Sequence, residues 1–130
     1  MPTLTIHDTD PTGCLAFDLR DILAVLRPYA ENADWEVDHA DEDFWATGKD
    51  TRPIRALVAS GERVSGKILS SLAEDIHQVI WGEFRAFKGS ATTPWTIVRA
   101  IDSSYFEIET NDDEVVALIQ QRFHCVRAEG

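Results

Sequence analysis

Acidic residues and tryptophans occur together in one stretch of this sequence, between positions 31 and 45. Seven of the thirteen residues from 31 to 43 are acidic and none is basic. An aromatic ring surrounded by carboxylates is a typical hot spot for a basic protein, because charge speeds encounter and the ring supplies the desolvated contact. The predicted partner-binding residues are Trp35, Asp38, Asp41, Glu42, Asp43 and Trp45. The alternative is that both rings pack beneath a helix and the acidic run is a solvated face.

A second group of carboxylates follows a short apolar run near the start of the chain. The pattern Asp8-x-Asp10-x-Thr12 resembles the nucleophile motif of the magnesium-dependent haloacid dehalogenase-type phosphatases. The resemblance implies that Asp8 attacks phosphorus and that Asp10 acts as acid or base. It also implies the other site residues, namely Ser60 for phosphate, Lys67 or Lys88 for charge balance, and Asp112 and Asp113 for magnesium.

Three features of the sequence argue against a phosphatase. Pro11 lies in the loop that would wrap its amides around phosphate, and the apolar run at residues 4–6 is short. The chain also lacks the regular strand and helix alternation of a parallel sheet. Turn chemistry favours an Asx-type turn at Asp8 and Asp10. No serine elbow, Walker loop, dinucleotide glycine pattern or CxxC pair is present in the sequence, and we predict no cofactor.

Two further groups of polar residues carry weaker predictions. The four histidines have no paired metal spacing, although His39 sits among Asp38, Asp41 and Asp43, which could together hold a cation. A solvated acidic face is the favoured interpretation, so no metal site is predicted. A small-ligand pocket between sheet and helix would be lined by Trp81, Glu83, Arg85 and Arg99. The favoured alternative for those charges is a cross-strand ion pair at the sheet surface.

The stretch from residue 76 to residue 123 predicts the scaffold that positions these groups. Residues 78–87, 95–101 and 105–110 read as three strands joined by turns, with Trp81 and Trp95 in the core. A helix then starts with an Asn111 cap and carries an apolar stripe of Val115, Val116, Ile119 and Phe123. The fold class predicted is α+β, one domain with a mostly antiparallel sheet and a C-terminal meander packed by an amphipathic helix.

The first half of the chain predicts shorter elements. Strands are expected at residues 4–7, 14–17 and around Trp35 and Val37, with another at Phe44 and Trp45. Asp18 reads as the cap of a helix that Pro28 closes. Residues 54–60 form a second predicted helix. Ser65 caps a third helix, whose inward residues are Ile68, Leu69 and Leu72.

Composition narrows the class of function. The chain has 130 residues, 44% of them hydrophobic, and a net charge of −11. Acid exceeds base by 12 to 3 over residues 1–50 and by 7 to 2 over residues 102–130. Such a chain repels phosphate, so we predict a basic protein partner and binding to neither nucleic acid nor membrane. Without a leader or a long apolar run it is predicted to be cytoplasmic, with Cys14 and Cys125 as free thiols.

The second half of the chain carries a resemblance. Residues 76–84 (IHQVIWGEF) and 95–110 (WTIVRAIDSSYFEIET) resemble small bacterial proteins of unassigned function. More generally, the acidic α+β character is similar to that of immunity proteins that neutralise bacterial toxins. The resemblance implies a bacterial intracellular protein and no catalytic residues. The leading prediction is a non-enzymatic immunity or inhibitor protein, and the alternatives are the phosphatase and a small-ligand-binding domain.

Overall fold

Eight strands join in one antiparallel sheet in the computed structural model, which describes residues 1–129. The strands are β1 (Thr3–Ile6), β2 (Asp34–Asp38), β3 (Trp45–Gly48), β4 (Val64–Ser65), β5 (Ile76–Phe87), β6 (Thr96–Ile101), β7 (Tyr105–Thr110) and β8 (Val126–Glu129). The helices are α1 (Leu19–Val25), α2 (Arg27–Glu31), α3 (Arg52–Ser60), α4 (Gly66–Ala73) and α5 (Asp113–Arg122).

The strand order is β4-β2-β5-β6-β7-β1-β8, and β3 pairs with the first part of β5. The neighbours β5, β6 and β7 form the predicted meander, and the α+β fold class is confirmed. β1 is inserted between β7 and β8, so the first strand of the chain separates two of its last three elements. The long strand β5 pairs with β3 near its start, and with β2 and β6 further along.

The sheet has one covered face and one open face. Alternate residues along the strands point into a core that the helices cover. These core residues include Leu4, Phe84, Val98, Phe106 and Ile108. The opposite phase carries Thr3, Thr5, Glu83, Arg85, Arg99, Glu107 and Glu109, which we call the open face. Of the predicted stripe, Val115 and Ile119 of α5 and Phe123, the C-cap residue that follows it, are buried in the core, and Val116 is partly buried against it.

Three local predictions were wrong in detail. Pro28 does not close the first helix: α1 ends at Val25, and Pro28 lies in the first turn of α2, where its missing N–H is not needed. Ile68 is 51% exposed, because α4 turns Gly66, Leu69 and Ala73 toward the core. The cap of α5 is Asp112 rather than Asn111.

The predicted strand at residues 14–17 is also absent. This segment makes only a single bridge, between Thr9 and Leu15. The Asp10 carboxylate accepts the Thr12 and Cys14 N–H groups at 2.8 and 3.2 Å, which closes a turn instead. Cys14 and Cys125 are both free and exposed, so the prediction of free thiols is confirmed.

The helices α2 and α4 approach each other closely at Gly66. Its N–H donates to the Ala33 carbonyl at 2.9 Å. A Cβ at position 66 would lie 1.7 Å from the Ala30 carbonyl oxygen, which accepts the Trp35 indole N–H at 3.0 Å. Glycine is therefore required here by contact between two backbones rather than by an unusual dihedral angle.

Asp18 ties the first helix to the sheet. Its carboxylate accepts the Leu19 N–H at 2.7 Å and, across the core, the Val79 N–H of β5 at 3.1 Å. The Asp21 carboxylate accepts the Asp18 N–H at 2.8 Å, which completes a capping box. Burial raises the pKa of the Asp18 carboxyl from 3.8 to about 6, against the lowering effect of those N–H donors.

We expect this carboxyl to make stability depend on pH between about pH 4 and pH 6. The folded state holds the proton more tightly than the unfolded chain does, so the free energy of unfolding should fall as pH rises through this window. The raised pKa corresponds to about 3 kcal/mol. Asp18→Asn should remove this dependence while keeping an oxygen acceptor. Urea unfolding of both proteins at about pH 4.5 and about pH 7 measures it, and parallel pH profiles would contradict the assignment to Asp18.

Candidate partner-binding site

Residues 39–44, the second part of the acidic stretch, connect β2 and β3, and Phe44 holds this loop against the sheet. The Phe44 ring meets the Phe84 ring edge-on at 6.3 Å. Gly82 leaves room for it, since a Cβ at that position would come within 3.0 Å of the Phe44 ring. The next residue, Trp45, starts β3 opposite Trp81 of β5. The loop therefore presents its acidic residues beside a pair of tryptophans.

Trp45 is 54% exposed, which is unusual for so large an apolar ring. With Trp81, Phe44, Glu42 and Asp43 it lines a surface hollow of about 520 Å³. Asp41, Glu42 and Asp43 are exposed and form no ion pair with any of residues 1–129. We call Asp41, Glu42, Asp43, Trp45 and Trp81 the Trp45 patch. It combines a solvated aromatic surface with uncompensated negative charge.

Trp35 does not belong to this surface, and its prediction as a contact residue was wrong. Its side chain is fully buried, at 0% exposure, and its indole N–H donates to the Ala30 carbonyl at 3.0 Å. In β2, Trp35 and Val37 share the phase that faces the core, while Asp34 and Glu36 face away from it. Trp35 is therefore a core residue that anchors β2 to α2.

Asp38 lies at the border of the patch and is already paired. Its carboxylate contacts the Arg85 guanidinium at 3.1 Å and the His39 ring at 2.8 Å. Burial would raise the pKa of Asp38, but hydrogen bonds from the His39 amide and from Arg85 outweigh it and lower the pKa. Of the four acidic residues predicted for the site, Asp41, Glu42 and Asp43 remain available to a partner.

The sequence interpretation assigned Trp81 to the core or, alternatively, to a ligand pocket, whereas in the structure it lies beside Trp45. The structure places it on the open face, half-buried, because Gly82 and Phe84 take the inward positions of β5. The signal was present in the sequence: Trp81 shares its strand phase with Glu83 and Arg85, both of which must face solvent. Trp95 is also only half-buried, and its indole N–H donates to the Asp112 carboxylate at 2.9 Å.

The charges of the open face form a network across β5, β6 and β7, which Arg85 extends to Asp38 of β2. Glu83 bonds the Arg99 guanidinium at 2.6 Å and also pairs with Arg85. Arg99 reaches Glu107 and Glu109 at 3.5 Å each. The predicted cross-strand ion pairs are confirmed. Trp81, Glu83, Arg85 and Arg99 lie on the open face, so the prediction that they line a pocket between sheet and helix was wrong.

A broad, shallow hollow lies elsewhere on the open face. Its volume is about 910 Å³, and Thr3, Thr5, Arg99, Glu107 and Glu109 are among the residues that line it. Arg99 is the only one of the four predicted pocket residues that reaches this hollow. The arrangement favours a solvated, self-neutralised charge network over an enclosed ligand site.

The residues of the phosphatase hypothesis do not converge. The Asp8 carboxylate accepts the backbone N–H groups of His124 and Cys125, the latter at 2.6 Å. Asp10 is bonded within its own turn. Asp112 caps α5 by accepting the Glu114 N–H at 2.9 Å. The antiparallel sheet also differs from the parallel sheet that this phosphatase family requires. Asp8 and Asp10 therefore act as turn residues that close the loop beside β1.

No cluster of three or more His, Cys, Asp or Glu side chains with metal-binding geometry occurs within residues 1–129. Among the described acidic residues of its segment, His39 forms an ion pair with Asp38 alone. None of the helices in this part of the chain is long and apolar enough to cross a membrane.

Comparisons of this chain with protein-family models, curated proteins and solved structures found no match. The similarity to immunity proteins therefore stays a prediction, and the Trp45 patch has to be judged on its own geometry.

Proposed function

We propose that this chain is a non-enzymatic binding protein that docks on a basic protein through the Trp45 patch, in the manner of an immunity or inhibitor protein. The observation that carries the proposal is the 54% exposure of Trp45 in a hollow that it shares with Glu42 and Asp43, which, like the exposed Asp41, have no ion-pair partner among residues 1–129. A large aromatic surface in water is unfavourable unless a partner covers it. The adjacent negative charge selects a partner of opposite sign.

Binding in this scheme has two physical components. The net charge of −11 attracts a basic protein and raises the association rate, an effect that salt screens over about 8 Å at physiological ionic strength. The Trp45 and Trp81 rings then lose water against the partner and slow its dissociation. The partner is inhibited because its basic functional surface is covered. The proposal includes a cytoplasmic, bacterial setting, where such a partner would act.

Removing the exposed ring should weaken binding without unfolding the protein. We expect Trp45→Ser to weaken the complex by about 30-fold or more, as truncation of a central hot spot does. The experiment captures partners from lysate of the source cells, identifies a stoichiometric basic protein, and measures its affinity for each variant. Ile68→Ser is the matched control, because Ile68 is an equally exposed apolar residue on α4, at 51%.

The carboxylates are tested separately through the association rate. Asp41→Asn with Asp43→Asn should slow association and reduce its dependence on salt, while the dissociation rate changes little. Glu62→Gln with Glu74→Gln removes the same charge from exposed positions outside the patch and serves as the control. Equal rates for both double variants, together with unchanged affinity in Trp45→Ser, would overturn the assignment of this surface.

A further inference from the structure

The strand β8 lies at one edge of the sheet and has an uncovered outer side. It pairs only with β1, and among residues 1–129 no strand continues the sheet beyond it. Arg127, Ala128 and Glu129 are all exposed. The edge contains no proline, and its pairing with β1 runs without a bulge. Two devices that commonly block edge pairing, a proline and a bulge, are therefore missing from β8.

The backbone of β8 is oriented to accept another strand. The His7 N–H donates to the Cys125 carbonyl at 2.8 Å. Backbone hydrogen bonds in an antiparallel pair repeat every second residue. The backbone N–H and C=O groups of Arg127 and Glu129 therefore face those of Thr5 and Thr3 in β1. The N–H and C=O groups of Val126 and Ala128 consequently point away from the sheet. These groups form the template that a further antiparallel strand would use.

The side chains of β8 are complementary to a second copy of β8. Arg127 and Glu129 flank Ala128 and project on the same side as Thr5 and Thr3, toward the open face. Neither forms an ion pair within the described residues. If two copies pair antiparallel with Ala128 opposite Ala128, Arg127 of each copy lies opposite Glu129 of the other. These would be non-hydrogen-bonded positions, where facing side chains are closest.

The charges also select this register over its neighbour. Shifting the two strands by two residues would place Arg127 opposite Arg127 of the second copy, and like charges directly opposite each other are destabilising. Opposite charges at the same position are stabilising. The sequence Arg-Ala-Glu thus specifies one two-fold arrangement.

We propose that two copies of this chain associate through β8, antiparallel and with Ala128 on the two-fold axis, to join their eight-stranded sheets into one. The interface is isologous, so each ion pair occurs twice. It lies at the opposite end of the sheet from β2 and β4, and β3 with the Trp45 patch stays free in both copies. A dimer of this kind would present two partner-binding surfaces at once.

The test is sedimentation equilibrium of the full chain across a concentration series, without any partner. We expect a reversible dimer for the unmodified protein and at least about a tenfold increase in the dimer dissociation constant for Arg127→Glu and for Glu129→Arg. Each of these variants opposes like charges in its own homodimer. The exchange variant carrying both substitutions should recover the dimer, and so should a mixture of the two single variants.

Recovery in the mixture distinguishes loss of charge complementarity from loss of folding. Arg55→Glu, a charge reversal at an exposed position on α3, is the control and should leave the dimer unchanged. A protein that is monomeric throughout the concentration series would overturn the proposal. A dimer that both single variants retain, or that the mixture fails to recover, would also overturn it. None of these outcomes depends on the Trp45 patch.

Discussion

Replacing Gly66 with alanine should destabilise the folded state severely. The new Cβ would lie 1.7 Å from the Ala30 carbonyl oxygen and 2.6 Å from its carbonyl carbon. Neither group can rotate away, because both belong to the backbone of α2. Relief requires α2 and α4 to separate, which would break the Gly66 N–H bond to Ala33 and disturb the acceptor of the Trp35 indole. We expect a loss of more than about 4 kcal/mol, out of roughly 5 to 15 kcal/mol for a typical domain.

Gly61 serves as the comparison, because it is required for its backbone angle and not for close contact with another backbone. Gly61 ends α3 with a φ of 69°, and a Cβ there would meet nothing within 4 Å. Gly61→Ala should therefore cost only about 1 kcal/mol, for the left-handed backbone. Circular dichroism and urea unfolding of the two variants measure the difference. Equal, small losses would mean that α2 and α4 can separate without cost, contrary to the close contact at Gly66.

Replacing Trp35 with alanine should destabilise the protein by about 3 to 5 kcal/mol. The indole is among the largest fully buried side chains, and its removal leaves a cavity beside β2. It also leaves the Ala30 carbonyl without the donor that now lies 3.0 Å away. Trp35→Phe retains most of the apolar volume and loses the donor, and it should cost about 1 to 3 kcal/mol. Chemical denaturation of the unmodified protein, Trp35→Ala and Trp35→Phe at one pH measures the free energy of unfolding of each.

Substitutions of Trp35 and Trp45 should have opposite effects on stability and on partner binding. Trp45→Ser is expected to change the free energy of unfolding by less than about 1 kcal/mol, because its ring is solvated. Trp35→Phe, if folded, should keep full affinity for a captured partner. A folded Trp35→Phe protein with lost binding would show that the buried ring shapes the binding surface, and the division between core and site drawn above would be wrong.

The meander could be predicted because its signals are local. Phe106 and Ile108 alternate with Tyr105, Glu107 and Glu109, and period-two alternation assigns the faces of a strand without knowledge of the rest. The turn between β6 and β7 follows from the same local chemistry: residues 102–104 connect the paired Ile101 and Tyr105, and Asp102 and Ser103 adopt positive φ angles of 51° and 53° in a tight turn that the Ser104 N–H closes by donating to the Ile101 carbonyl at 2.9 Å.

The candidate site was only partly predictable, because ring size and strand phase gave conflicting signals. Trp35 shares its phase with the buried Val37, and Trp81 shares its phase with Glu83 and Arg85. The alternation of side chains along each strand would have assigned both rings to the correct face of the sheet. We instead expected a ring near carboxylates to be exposed and the other rings to be buried, and this expectation gave the wrong face for both. Exposure of Trp45 depends on its opposition to Trp81, which is a long-range pairing that no local pattern encodes.

The position of β1 was beyond local prediction for the same reason. Thr3 lies opposite Glu109 on one side and Glu129 on the other, and nothing near Thr3 in the sequence specifies those partners. Selection of this topology depends on burying Leu4 and Ile6 beside Phe106 and Ile108, which are distant along the chain.

The insertion of β1 between β7 and β8 has a consequence for how the chain folds. During synthesis, the first strand emerges long before either of its neighbours, while β5, β6 and β7 can pair as soon as they are made. Proteins dominated by such distant pairings fold in milliseconds to seconds rather than microseconds. Until β1 docks, the edge of β7 stays open and β8 has nothing to pair with. A fusion or bound chaperone that holds residues 3–6 should therefore arrest folding with the meander formed and the sheet incomplete.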